Sequence, residues 1–463
     1  MPNVVDCCIE ASPDHEIKSR YTLRMLLEPL GIVPRFVTRS EVEQGEEPAI
    51  HYGENHLVGR DRVVHIPLEP STVEFFRGSK PVIPQANLRG TETPDLFGFD
   101  VVASAFYWLS GWHEVTQSIR DQHGRFPFSA SLQAELDTGP GAPVDAYRER
   151  LAAELERVGA GVKRRTWNGR KAAVCVTHDL DYPRKWRPGI LYAETMANIV
   201  RPSNHSRLQG FVRLTSAIAK ALVNGDPYRN CTNRFIEDAG EAHSERTFFL
   251  KAGDHGRYDT SFSLTSSSAR KMISAIRNSG SEIGLHPSYF ASEHPAYLER
   301  EAEQLKRACD GIDIRSIRSH YLRFNHVLTP TLYADNGFFI DSTLAFAERE
   351  GFRNGTCLPF EIYDLEKNRP TGLWEMPLAV MDSTLFWYRQ MNADEAFEAT
   401  KSLAETVMKY GGVLVLLWHN ILWDPLGNEG YGEHYERMME YLKGQSFHRG
   451  SLNHSFESWR AVN

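Results

Sequence analysis

The stretch Ala172-Ala-Val-Cys-Val-Thr-His-Asp-Leu-Asp181 decides the fold. Five apolar residues in a row read as a strand buried on both faces, and the polar groups that follow read as its chemically active end. Side chains alternate across a strand, so Thr177, Asp179 and Asp181 share one face if the extended geometry continues. Two carboxylates on one face repel unless a cation or a proton lies between them, which points to a metal or to acid-base work.

Downstream, apolar runs at 246–251, 282–286, 314–319, 338–341, 374–377 and 413–419 alternate with helical segments. This alternation predicts a parallel sheet, open or closed into a barrel, with its reactive groups at the C-terminal strand ends. Three such ends carry unusual chemistry. A strand stops at His286 directly before Pro287, Arg318 and His320 share a strand face, and His419 ends the buried run that starts at Gly411. Neutral imidazole is a favoured ligand for zinc and related metals. The chain has 18 histidines, so the shared position of these three at strand ends is what singles them out.

Upstream, strand-like runs at 3–9 and 62–67 and a helical stretch at 16–30 predict a small α/β unit, and 100–110 reads as a buried helix because it is apolar all round. The breaker-rich Thr138-Gly-Pro-Gly-Ala-Pro143 and a polar helix at 144–159 lead to a boundary near residue 165. Two domains are therefore expected, 1–164 and 165–463, which suits a chain of 463 residues. With 41% hydrophobic and 24% charged residues the composition is that of a globular protein, and a net charge of -8 argues against nucleic acid as a partner. No signal peptide is expected from Met1 to Glu10, and no apolar run approaches the roughly 20 residues that span a bilayer. Six cysteines without CxxC spacing are expected to be reduced thiols in a cytoplasmic setting.

The stretch 182–246 is longer than one crossover requires. Within it, Leu208, Phe211, Val212, Ala219, Leu222 and Val223 form one apolar stripe, with Arg184, Lys185, Arg187, Arg207 and Arg213 nearby. Two readings stand: an extra helix packed on the sheet, or a lid or peripheral membrane contact for a lipid-linked sugar.

Thr177-His-Asp-Leu-Asp181 resembles the first motif of the polysaccharide deacetylases, the NodB-like domains of carbohydrate esterase family 4. Thr247-Phe-Phe-Leu250 looks like that family's second strand, Gly284-Leu-His-Pro-Ser288 its histidine motif and Arg318-Ser-His-Tyr321 its arginine motif; Asn336 to Ser342 and Leu417-Trp-His419 follow in order. The resemblance covers about residues 165–463. Phe106-Tyr-Trp-Leu-Ser110 with Arg125-Phe126 also resembles the bacterial variant that has a Thr-His-Asp-X-Asp motif and an N-terminal α/β domain. The resemblance implies a distorted (β/α)7-type barrel and a metal-dependent removal of acetyl groups from an N-acetylated sugar or glycan, in capsule or O-antigen biosynthesis. It implies Asp179 as catalytic base, Asp181 and His286 as ligands of a divalent ion, zinc first, and His419 as general acid. Arg318 would orient the base, and Asp341 would tune the acid. The family places a second ligand histidine four residues after the first, where this chain has Phe290. His320 is expected to take that place, ahead of His294 and His178. Hydrolysis of another non-peptide C–N bond, or a non-catalytic carbohydrate-binding or assembly role favoured by Phe290, are the alternatives.

Overall fold

The structure is a computed structural model that describes residues 3–57, 60–69, 99–137, 139–202, 206–241, 246–260, 263–428 and 430–461. Strands β1 (Asn3–Ile9), β2 (Ile32–Val37), β3 (Ala49–Gly53) and β4 (Val63–Pro67) form a parallel sheet in the order β2-β1-β3-β4. The helix Pro13–Leu27 crosses from β1 to β2, with proline at its start, acidic Asp14 and Glu16 in its first turn and Arg24 in its last, as the helix dipole favours. It ends three residues short of the expected position. Glu28–Leu30 is a tighter turn closed by Gly31 at φ +72°, where a Cβ would lie 2.0 Å from the carbonyl oxygen of Lys163. The helix Val101–Leu109 is buried along its whole length, as its composition predicts. Asp100 caps it through the backbone N–H of Ala103 and accepts a hydrogen bond from Tyr52 Oη, both at 2.8 Å.

The second sheet has ten strands: β5 (Ala172–Leu180), β6 (Thr247–Lys251), β7 (Glu282–His286), β8 (Ser316–Ile317), β9 (Ile340–Asp341), β10 (Phe360–Asp364), β11 (Arg369–Glu375), β12 (Leu378–Met381), β13 (Val413–His419) and β14 (Phe447–Arg449). Their order is β10-β11-β9-β8-β7-β6-β5-β13-β12, with β14 also paired to β5, and every pair but β10 with β11 is parallel. All nine residues of β5 are buried, the mark of a strand covered on both faces.

The sheet is strongly curled. Arg318 follows β8 and Asp179 lies on β5, three strands away, yet Arg318 Nη1 is 3.1 Å from Asp179 Oδ1. At about 4.8 Å per strand a flat sheet would separate those positions by about 14 Å, beyond an arginine's reach. The ladder nevertheless runs from β10 to β12 without joining. Among the described residues it is an open, curled half-barrel with an antiparallel hairpin at one edge and β12 at the other, the open form of the two that the strand and helix alternation allows.

One apolar cluster draws residues from both sheets, from Val5 and Leu26 to Val415 and Trp459. Hydrogen bonds cross the same ground: Tyr21 Oη donates to the carbonyl of Glu361 at 2.7 Å, and buried Asp145 accepts from Thr356 Oγ1 and the Cys357 N–H at 2.6 and 2.7 Å.

Between β5 and β6 the chain forms the helices Pro188–Thr195, Arg207–Asn224 and Pro227–Glu241. The Asp226 carboxylate fixes their base, accepting from the backbone N–H of Lys185 at 2.9 Å and of Trp186 at 3.1 Å. Lys185 is itself buried between Glu194 and Asp424. The reading in which the apolar stripe of Arg207–Asn224 packs on the sheet is overturned: Gly210, Leu214 and Ala217 face inward, while Leu208, Phe211, Val212, Leu222 and Val223 are exposed.

Candidate metal centre and active site

The C-terminal ends of β5, β7, β8 and β13 converge in one cleft, and of the residues picked from the sequence all but Asp341 lie in or against it. His419 sits opposite Asp179 in the β13–β5 register, and His286 opposite Lys251 in β6–β7. The cleft is lined by Asp179, Asp181, His286, His320 and His419, with Tyr182, Tyr321, Trp387 and Tyr388 as aromatic walls.

Asp181, His286 and His320 form the one group among the described residues that could hold a metal ion, with ligand atoms all within 4.8 Å of one another. Asp181 Oδ1 is 3.3 Å from His286 Nε2 and 3.7 Å from His320 Nε2, and makes no hydrogen bond. Each imidazole is held from behind. His286 Nδ1 donates to the carbonyl of Arg318 at 2.7 Å, and His320 Nδ1 donates to Asp259 Oδ1 at 2.9 Å. Both Nε2 lone pairs are thereby left facing Asp181. Lys251 Nζ, 3.0 Å from Asp259 Oδ1, secures that carboxylate.

The protonation states suit an ion. Burial pushes the His320 imidazole down to about 4 against the opposing pull of Asp181 and Asp259, so it is neutral at pH 7. Burial alone would raise the Asp181 carboxyl, but His320, His286 and Lys251 hold it well below the usual carboxylate range.

Asp179 and His419 flank this group. Arg318, fully buried, binds Thr177 Oγ1 at 2.7 Å and Asp179 Oδ1 at 3.1 Å, while its Nε and Nη2 donate to the carbonyl and hydroxyl of Ser342. The guanidinium also lies over the Phe249 ring at 4.4 Å, which leaves it one orientation. His419 Nδ1 is 2.7 Å from Asp382 Oδ1, and its Nε2 points to Asp181 Oδ2 at 3.9 Å. Burial lowers the imidazole's pKa, but the charge and hydrogen bond of Asp382, helped by Asp181 and Asp179, outweigh it and lift the value to about 10.

The expectation that Asp341 tunes His419 is corrected. Asp341 ends β9, buried beside Thr343 at 2.5 Å and opposite Glu375 in the β9–β11 register. Five steps of the strand path separate it from β13, and Asp382, just past the adjoining β12, takes the place beside His419. The same rule of polar residues at strand ends points to Asp382, and to Lys251 at the end of β6, but the apolar run expected at 374–377 belongs to the end of β11, and β12 was not among the runs expected. His178 lies on the other face of β5, stacked on Phe235 with centroids 3.8 Å apart, and His294 precedes the helix Pro295–Ala308. Neither joins the cluster. Phe290 is 43% exposed. Tyr321 and Leu322, directly after His320, adopt left-handed φ of 61° and 54°, strain of the kind that collects at functional sites.

One wall comes from far upstream. Arg125 donates from Nη2 to Tyr388 Oη and from Nη1 to the carbonyl of Tyr321, both at 3.1 Å, and is itself held by Asp121 Oδ2 at 2.7 Å.

Fold and site define a mixed α/β protein whose candidate ion-binding triad is set between a clamped carboxylate and a charged imidazole. Residues 9–159 match the model of a family of unknown function, DUF7033. No curated protein matches the chain. Among solved structures, the chain is similar to a protein assigned as a polysaccharide deacetylase from Mycobacterium smegmatis, with 19% identity, 63% of this chain and 91% of that one covered, and a TM-score of 0.42. It is similar to a xylanase CE4 domain from the hindgut metagenome of Trinervitermes trinervoides, with 13% identity, coverages of 62% and 90% and a TM-score of 0.31. A mutant CE4 family pseudoenzyme gives 12% identity, coverages of 65% and 72% and a TM-score of 0.33. Likeness at this level leaves the chemistry to the side chains.

Proposed function

We propose that this protein is a metal-dependent hydrolase that removes acetyl groups from N-acetylated sugars. The observation that carries the reading is the placement of Asp179 and His419 beside the Asp181, His286 and His320 triad, one clamped by Arg318 and the other charged by Asp382. The triad fits a divalent ion: Asp181 Oδ1 makes no hydrogen bond, and the Nε2 atoms of two imidazoles held at Nδ1 face it. A bound ion, zinc in this reading, supplies positive charge that polarises an amide carbonyl and makes a water more acidic.

The chain's own groups supply the proton traffic. Asp179, fixed by Arg318, takes a proton from the attacking water, and His419 gives its proton to the departing amine nitrogen. Acetate and a free amino sugar result. Tyr182, Tyr321, Trp387 and Tyr388 offer faces for stacking a sugar ring. Six buried, unpaired cysteines support placing the protein in a reducing, cytoplasmic compartment, where precursors of a cell-surface polysaccharide such as capsule or O-antigen are built.

Plasma mass spectrometry on the purified chain and on Asp181→Ala, His286→Ala, joined to acetate release from a panel of N-acetylated sugars, tests this. About one ion per chain, lost in the double variant, together with acetate release is expected. A chain that binds no ion after reconstitution and releases no acetate would abandon the reading.

A further inference from the structure

The helix Arg207–Asn224 turns its most apolar side away from the protein. Residues advance about 100° each around a helix, so the stripe from Leu208 to Val223 fills an arc of about 120°. Its large members are among the most exposed hydrophobic residues of the chain: Leu208 74%, Phe211 51%, Val212 57%, Leu222 84% and Val223 84%. The adjoining Pro188–Val200 segment adds exposed Leu191, Tyr192 and Val200. Single exposed apolar residues are ordinary, but a contiguous stripe marks an interaction surface.

The charges around it name the partner. Arg207, Arg213 and Lys220 are exposed along the flanks of the stripe, and the helix contains no acidic residue. Leaving out buried Lys185, six basic residues stand against one acidic between Arg184 and Asn224, in a chain whose net charge is -8. A second copy docked on this face by two-fold symmetry would set these cations against themselves. An anionic bilayer takes both parts, the stripe below the headgroups and the cations among them. Ser206 and Gln209 form a capping box, so the helix is preformed.

We propose that the helix Arg207–Asn224 is an interfacial anchor that lays the chain on an anionic lipid surface. The insertion leaves the sheet at Tyr182, directly after Asp181, and Tyr182 lines the cleft. The segment that carries the helix is thus continuous in sequence with one wall of the cleft. On the deacetylase reading, and resting on it, this suits an acetamido sugar carried on a lipid.

The test is co-sedimentation of the full chain with phosphatidylcholine vesicles with and without phosphatidylglycerol. The chain is expected to bind the phosphatidylglycerol vesicles, less as salt rises, and Arg213→Glu, Lys220→Glu to weaken binding by about tenfold or more. Phe211→Glu, Leu222→Glu is expected to abolish it with an unchanged Tm, since both side chains face solvent. Acetate release from a soluble substrate should be the same in these variants, so a failure here is separate from a failure of the catalytic reading. Absence of binding to either vesicle, binding indifferent to all four substitutions, or a wild-type dimer that the substitutions dissolve would each overturn the anchor.

Discussion

His419 Nδ1 lies 2.7 Å from Asp382 Oδ1, and the same carboxylate accepts the backbone N–H of His419 through Oδ2 at 2.8 Å. The imidazole's value is raised in the folded chain, so the pair's contribution to stability is complete below its ordinary value of 6.5 and is lost as pH rises through about 10. The alkaline limb of the rate profile should fall in that window. Asp382→Asn removes the charge, and the limb is expected to move down towards 6.5. A limb unmoved in the variant would deny His419 the role of proton donor.

Asp179→Asn and His419→Ala are expected to lower turnover by about two to four orders of magnitude. Neither residue belongs to the triad, so both variants should keep their ion. Metal content measured beside the rate separates lost proton transfer from a lost site.

Asp259 orients His320 from the side away from Asp181. Asp259→Ala is expected to weaken metal affinity by about 10- to 100-fold, the usual cost of removing a carboxylate behind a ligand histidine. Ion retention against a graded chelator series reads this directly, with no need for substrate.

Asp341 and Glu375 are buried side by side, and burial lifts Asp341 to about 6 and Glu375 well above its ordinary value. Raised carboxyls weaken the fold as pH climbs through their folded values, because the unfolded chain ionises more easily. Glu375→Gln keeps a donor for Asp341 but cannot ionise. Its Tm should match the wild type near about pH 4, below the ordinary value of 4.5, and exceed it near about pH 8.

The cluster was legible because one rule, polar residues ending buried parallel strands, needs no knowledge of which strands are neighbours. Asp179, Asp181, His286, Arg318, His320 and His419 all meet it. Pairings between strands were less legible, since chain order is not spatial order. The carboxylate of His419 comes from β12, which follows β11 in sequence but pairs with β13 at the far side of the sheet. Alternation of strands and helices likewise says nothing about closure, and the sheet stayed open. Periodicity placed the stripe of Arg207–Asn224 on one side of a helix without saying what covers it.

Arg125 reaches the cleft from the segment that matches DUF7033, where it pins Tyr388 and the Tyr321 carbonyl. Residues 165–463 moved alone into another protein would carry the ion-binding groups and leave one wall behind. A change in the upstream segment can therefore reshape the mouth of the cleft without touching Asp181, His286 or His320.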